Sequence, residues 1–215
     1  MQNVELVDAV SDELYWDPRI DSDAVAVSAA EGVVTLRGTV GSLREKREAE
    51  NDAKRVFGVE LVENELEVKL MDRFEREDAD LRGDILQALA LDSVVPDTID
   101  VTVEDGFVTL TGTADWQYQR DEAEFVASNI VGTVQVINEV QLKPKPTPGE
   151  VRDSIRGAFQ RNAGLDADLL TITTVGGTVT LSGKVHSWAE HDQAMDAAWS
   201  APGVLEVEDH ITVTY

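Results

Sequence analysis

The stretch Gly32–Val40, GVVTLRGTV, alternates apolar and polar residues and is interrupted by Gly38. It returns as GFVTLTGTA from Gly106 and as GTVTLSGKV from Gly177. Alternation with a period of two marks a strand with one buried face, so Val34 and Leu36, Val108 and Leu110, and Val179 and Leu181 are expected to point inward. The sequence therefore predicts one strand three times, with Gly38, Gly112 and Gly183 as common reference points.

Spacing around these glycines is constant within the chain. Six residues earlier stand Gly32, Gly106 and Gly177, and 20 residues later Gly58, Gly132 and Gly203. Coincidences of this kind identify three copies of a unit of about 70 residues. Ahead of the middle strand, Val25 and Val27, Ile99 and Val101, and Leu170 and Ile172 repeat with a period of two and predict a first strand. The intervening EGV, DGF and GGT supply residues that tolerate positive φ, as a tight hairpin requires. Behind it the period becomes helical. Ser42 with Glu45 and Ser187 with Glu190 read as capping boxes, and Gly58, Gly132 and Gly203 read as helix-terminating residues. Ala49, Ala123 and Ala194 fall at one equivalent position, where a helix can approach a sheet closely. A closing strand follows, with Val62, Leu66 and Val68, then Val136, Val140 and Leu142, then Val207, Ile211 and Val213 facing inward. Each copy opens with an amphipathic helix, carried by Leu6, Val10 and Leu14, by Leu81, Ile85 and Leu89, and by Val151, Ile155 and Phe159. Thr147, Pro148 and Glu150 give the third of these helices a capping box with proline at its first position.

The fold class is thus α+β: three tandem αββαβ modules, each a small three-stranded sheet with two helices packed on one face. The expected domains are 1–70, 79–143 and 149–215, joined by a charged linker at 71–78 and a proline-rich one at 144–148. A unit of this size buries a marginal core, so the copies are expected to lean on one another.

Charge restricts the partners. With 42 acidic and 18 basic residues the formal net charge is −24, which repels phosphate backbones and excludes nucleic acid as an expected ligand. The acidity fits a solvated surface or a high-salt habitat, two readings that composition leaves open. There is no cysteine, hence no disulfide and no thiolate metal site. No segment offers the roughly 20 apolar residues of a membrane span. The N-terminus lacks the positive and apolar regions of a leader, so the chain is expected to be cytoplasmic, or periplasmic if a leader has been removed.

The three strand motifs, together with VFGVELVENELEV, IVGTVQVINEV and APGVLEVEDHITV, resemble the BON domain family over nearly the whole chain. That family is bacterial, and the resemblance implies a non-enzymatic protein without cofactors. Its members are associated with osmotic or envelope stress, with transport, with phospholipid membranes and, in one cytoplasmic branch, with potassium sensing. The function expected from the resemblance is a non-catalytic, stress-associated binding or scaffolding protein; the alternatives are a cation sensor and a peripheral phospholipid-binding protein.

Three sets of residues are candidates for a site. His186, His191 and His210 all fall in the third copy, and with Ser187 in a capping role they are expected to be structural or surface histidines, so no catalytic residue and no metal ligand set is assigned. Asp23, Asp97 and Asp168 stand 15 residues before their reference glycines, and Asp21 and Asp166 stand 17 before. A recurring carboxylate at one loop position suits either a turn that starts the first strand or a cation-binding loop. Trp116, Tyr118 and Trp188 open the second helices of copies two and three and suit either packing or contact with a protein or phospholipid surface.

Overall fold

The computed structural model describes residues 3–71, 76–143, 151–161 and 169–214. The first repeat runs α1 (Asn3–Trp16), β1 (Val25–Ala30), β2 (Val33–Val40), α2 (Leu43–Arg55) and β3 (Leu61–Val68). The second runs α3 (Asp78–Leu91), β4 (Asp100–Glu104), β5 (Phe107–Thr111), β6 (Thr113–Ala114), α4 (Gln117–Ser128), β7 (Gln135–Asn138) and β8 (Gln141–Leu142). The third runs α5 (Val151–Arg161), β9 (Leu170–Val175), β10 (Thr178–Val185), α6 (Trp188–Trp199) and β11 (Glu206–Val213). This is the α+β repeat expected from the pattern, and the recurring stretch is the middle strand each time: the sheet orders are β1-β2-β3, β4-β5-β7 and β9-β10-β11. The hairpin pair is antiparallel, whereas the strand after the crossover helix pairs in parallel, with Leu36 opposite Asn64 and Leu181 opposite Asp209.

The reference glycines explain why the motif cannot vary at its break. A Cβ placed on Gly38, Gly112 or Gly183 would lie 2.0, 2.2 and 2.2 Å from the carbonyl oxygens of Ala24, Thr98 and Leu169. Each glycine also has φ between +126° and +139°, so both the space and the backbone angle exclude a side chain. In the first two hairpins Glu31 and Asp105 adopt φ of 51° and 52° ahead of their glycines, the paired positive angles that a two-residue antiparallel turn needs.

Each core follows the apolar pattern. Leu6, Val10 and Leu14 of α1 and Ala49 and Ala53 of α2 cover Val34, Leu36 and Leu66, and the same arrangement gathers Val151, Ile155 and Phe159 with Leu181 and Ala194 in the third repeat. Fully burying such a leucine or phenylalanine contributes about 1.5–3 kcal/mol. Ala49, Ala123 and Ala194 are wholly buried, as a close helix-to-sheet approach demands. Both expected capping boxes form: the Ser42 hydroxyl accepts from the Glu45 N–H at 3.1 Å and the Ser187 hydroxyl from the Glu190 N–H at 3.2 Å. The returning carboxylates accept one residue earlier than in the usual box, from the N–H groups of Gly41 and His186. The Thr147–Pro148–Glu150 cap and the proline-rich linker lie outside the described residues, as does part of the charged linker.

The second repeat differs from expectation in its strands. Both long strands are divided, β5 from β6 at Gly112 and β7 from β8 at Glu139 and Val140, and β6 and β8 form a separate two-stranded sheet. The described chain gathers into two compact units. One holds the first two repeats as far as Gln141, apart from Asp115–Tyr118; the other holds those four residues and the chain from Leu142 onward.

Candidate functional site

A clasp between the second helix and the closing strand recurs in every repeat. Asn64, Asn138 and Asp209 all stand 26 residues after their reference glycines, and each accepts with Oδ1 from the N–H two residues on, that of Leu66, Val140 and Ile211. The Asn64 amide donates to the Lys46 carbonyl at 2.9 Å and to Glu50 Oε2 at 3.2 Å; that of Asn138 donates to the Arg120 carbonyl at 3.0 Å and to Glu124 Oε2 at 3.1 Å. In the third repeat the helix partner is a side chain, His191 Nε2, at 2.7 Å from Asp209 Oδ2. Hydrogen bonding by Asp192 and then Asp209 raises the His191 pKa, and Trp188 packs edge-on against the imidazole at 4.9 Å. His186 and His210 are exposed.

Within the first unit, the two repeats meet across α2 and α4. The Arg47 guanidinium donates to the Ser128 hydroxyl and lies 5.2 Å from the Phe125 ring centroid. Beside this contact opens a cleft of about 550 Å³, lined by Leu43 and Lys46 of α2, Glu67 and Val68 of β3, Phe107 of β5 and Glu124 of α4. A second hollow of about 410 Å³ lies between the start of α2 and Ser128–Thr133. The first cleft mixes aliphatic walls with two cations, Lys46 and Arg47, and two carboxylates, Glu67 and Glu124. Ser128 is not an activated nucleophile, because its hydroxyl donates to the Phe125 carbonyl at 2.9 Å. This arrangement suits reversible contact with a polar, partly apolar segment.

The residues singled out from sequence are dispersed. Asp21 precedes and Asp23 lies within a single 3-10 turn at Ser22–Ala24, and both are exposed; Asp21 makes no side-chain cap, and its N–H donates to Glu45 Oε1 at 2.8 Å. Asp97 is exposed, and the side-chain turn nearby belongs to Asp92, whose Oδ1 accepts from Val94 and Val95. Asp166 and Asp168 lie outside the described residues. Among the described residues no group of three or more histidine, aspartate or glutamate side chains is placed to hold a metal ion. Trp116 is half-buried just before α4, Tyr118 is exposed in its first turn, and Trp188 is half-buried against the third core. No helix among the described residues is long and apolar enough to cross a membrane.

The repeat is one that other proteins share. The BON domain family model matches residues 3–69, 77–144 and 149–215. The chain belongs to the BON domain family. Over 131 residues it is 36% identical to the osmotically-inducible protein Y of Escherichia coli strain K12, covering 58% of this chain and 64% of that protein. It is 30% identical over 125 residues, 55% of its length, to 83% of an uncharacterised protein of Anaplasma centrale from the gshII 5′ region. This chain thus spans less than two thirds of the Escherichia coli relative. A solved structure of CdsD, a structural protein of the type III secretion system of Chlamydia trachomatis, aligns with 98% of this chain and 92% of its own at 13% identity, but the TM-score of 0.27 is too low for a common arrangement.

One further cluster is carried by the first BON repeat. Asp17, just after α1, is 8% exposed, and Asp52 of α2 is fully buried. Arg19 grips Asp17 through its N–H and Nε, and Arg55 donates to Asp52 Oδ1. Arg19 holds the Asp17 carboxyl well below the usual range, while burial pushes Asp52 up to about 6. Counted along the first helix and, for Asp52, from the reference glycine, the equivalent BON positions hold Asp92 and Val126 in the second repeat and Asn162 and Ala197 in the third.

Proposed function

We propose that this BON protein is a non-catalytic binding or scaffolding protein of the osmotic-stress class. It receives a polypeptide partner in the cleft between its first two repeats. The observation that carries the reading is that cleft: about 550 Å³, open, walled by Leu43, Val68 and Phe107 and edged by charges of both signs. Mixed charge over an aliphatic floor matches a peptide better than a uniformly anionic surface, and the net charge of −24 opposes anionic lipid. The likeness to the osmotically-inducible protein Y supports the stress association. In this reading the exposed Tyr118 and the half-buried Trp116 and Trp188 belong to helix ends available for further protein contact.

Two measurements test the reading against its rivals. The first is melting of the full chain in potassium, calcium or magnesium chloride against a tetramethylammonium control of matched ionic strength. A peptide-binding scaffold shows no ion-specific shift; stabilisation by one ion alone makes the protein a cation sensor, with Asp21, Asp23, Asp97, Asp166 and Asp168 as the first loops to mutate. The second is flotation with neutral and anionic phospholipid vesicles. The protein stays at the bottom of the gradient, and co-flotation replaces the reading with peripheral membrane binding.

A further inference from the structure

Asp52 presents an unfinished hydrogen-bond account. Its side chain is fully buried, Oδ1 accepts from Arg55, and Oδ2 has no donor in reach. The neighbour within hydrogen-bonding reach is the Asp17 carboxyl, itself nearly buried and occupied on its other side by Arg19. Two carboxylates are acceptors only, so they bond to each other only when a hydrogen sits between them. The surrounding charges agree with one missing negative charge. Glu13 of α1, Asp17, and Glu48 and Asp52 of α2 face three guanidiniums, Arg19, Arg44 and Arg55. Fully ionised, the group would carry four negative and three positive charges around a buried centre, an imbalance that low-dielectric surroundings disfavour and one proton removes.

We propose that Asp17 and Asp52 share one proton in the folded first repeat, and that this proton is a latch joining the end of α1 to α2, released as the surroundings turn from mildly acidic to neutral. The repeat itself does not require the pair, since the second repeat folds with Val126 at the position of Asp52. The latch bears on the helix that also carries Leu43, Lys46 and Arg47 to the neighbouring repeat, although it stands without any claim about what the cleft receives.

The direction follows from linkage. Asp52 titrates near 6 when folded against 3.8 when free. Between these values the native chain keeps a proton that the unfolded chain has released, so stability falls as pH rises through about 6 and stays lower above it. Asp17 acts oppositely, but only below about pH 4, outside the window that matters.

The test uses the full chain labelled with 13C-aspartate, with the Asp52 carboxyl carbon followed from pH 5 to 8. A midpoint near 6 is expected; a midpoint below 4.5 overturns the proposal. In parallel, wild type is compared with Asp52→Asn, whose amide donates to Asp17 at every pH. From pH 5 to 8 the folded-to-unfolded ratio of wild type falls about tenfold further than that of the variant. Equal pH dependence in the two proteins also overturns the latch, and the carbon titration decides the matter if the variant does not fold.

Discussion

His191 Nε2 lies 2.7 Å from Asp209 Oδ2, and this contact occupies the place where the other two repeats use an asparagine amide and a helix carbonyl. The substitution turns a neutral clasp into one that titrates. Asp192 and Asp209 favour the charged imidazole, so the folded pKa lies above the free value. The stabilisation is complete below the unfolded pKa of about 6.5 and is lost as pH rises through the higher folded value. His191→Gln is therefore expected to lower the melting temperature of the third repeat at pH 5.5 and to leave it nearly unchanged at pH 9. The low-pH cost is about 0.5–1 kcal/mol, typical of a partly exposed charged pair. Thermal melts at the two values check this.

The asparagine clasp has a different signature. Asn138 bonds the Arg120 carbonyl, Glu124 and the Val140 N–H at once, so Asn138→Ala is expected to cost about 1–3 kcal/mol by leaving those groups unmatched. The cost has no pH dependence between 6 and 9, which urea titrations at both limits would show.

The break in each middle strand should be intolerant of any side chain. Gly112→Ala places a Cβ 2.2 Å from the Thr98 carbonyl at φ +126°, and at least ~2 kcal/mol of destabilisation is expected. Gly83, inside α3, provides the contrast, because a Cβ added there would meet nothing within 4 Å. Gly83→Ala is expected to stabilise by about 0.5–1 kcal/mol. Denaturant midpoints of the two variants should move in opposite directions.

Arg47 ties the first repeat to the second through Ser128 and Phe125. Arg47→Ala is expected to weaken their joint unfolding by about 1–2 kcal/mol and to split one cooperative transition of the first unit into two. A single unshifted urea transition would speak against that coupling.

How much of this was legible in the chain depends on the kind of constraint. Gly38, Gly112 and Gly183 were readable because a backbone contact with no room for Cβ admits one residue type, and the strands were readable because burial alternates with the pleat. The clasp carried an equally regular signal, the spacing of Asn64, Asn138 and Asp209 from those glycines, but polar residues between the inward Val62 and Leu66 look like ordinary solvated positions. Asp52 was hidden for another reason. Its burial follows from α1 packing over α2, and the only trace in the chain is that Val126 and Ala197 hold the same position elsewhere. The division of β7 from β8 left no mark in the periodicity either: Asn64 and Asp209 make the same bond as Asn138 within strands that stay whole.

The claim that the first unit receives a polypeptide partner is tested most directly by a photo-crosslinking benzoylphenylalanine in place of Phe107, beside the cleft, in cells taken through an osmotic upshift. A discrete protein adduct is expected, growing after the upshift, weakened by Arg47→Glu and missing when the probe replaces the exposed Val175 of the third repeat. No adduct at position 107, or the same adducts from both positions, would overturn the assignment of the cleft to a partner.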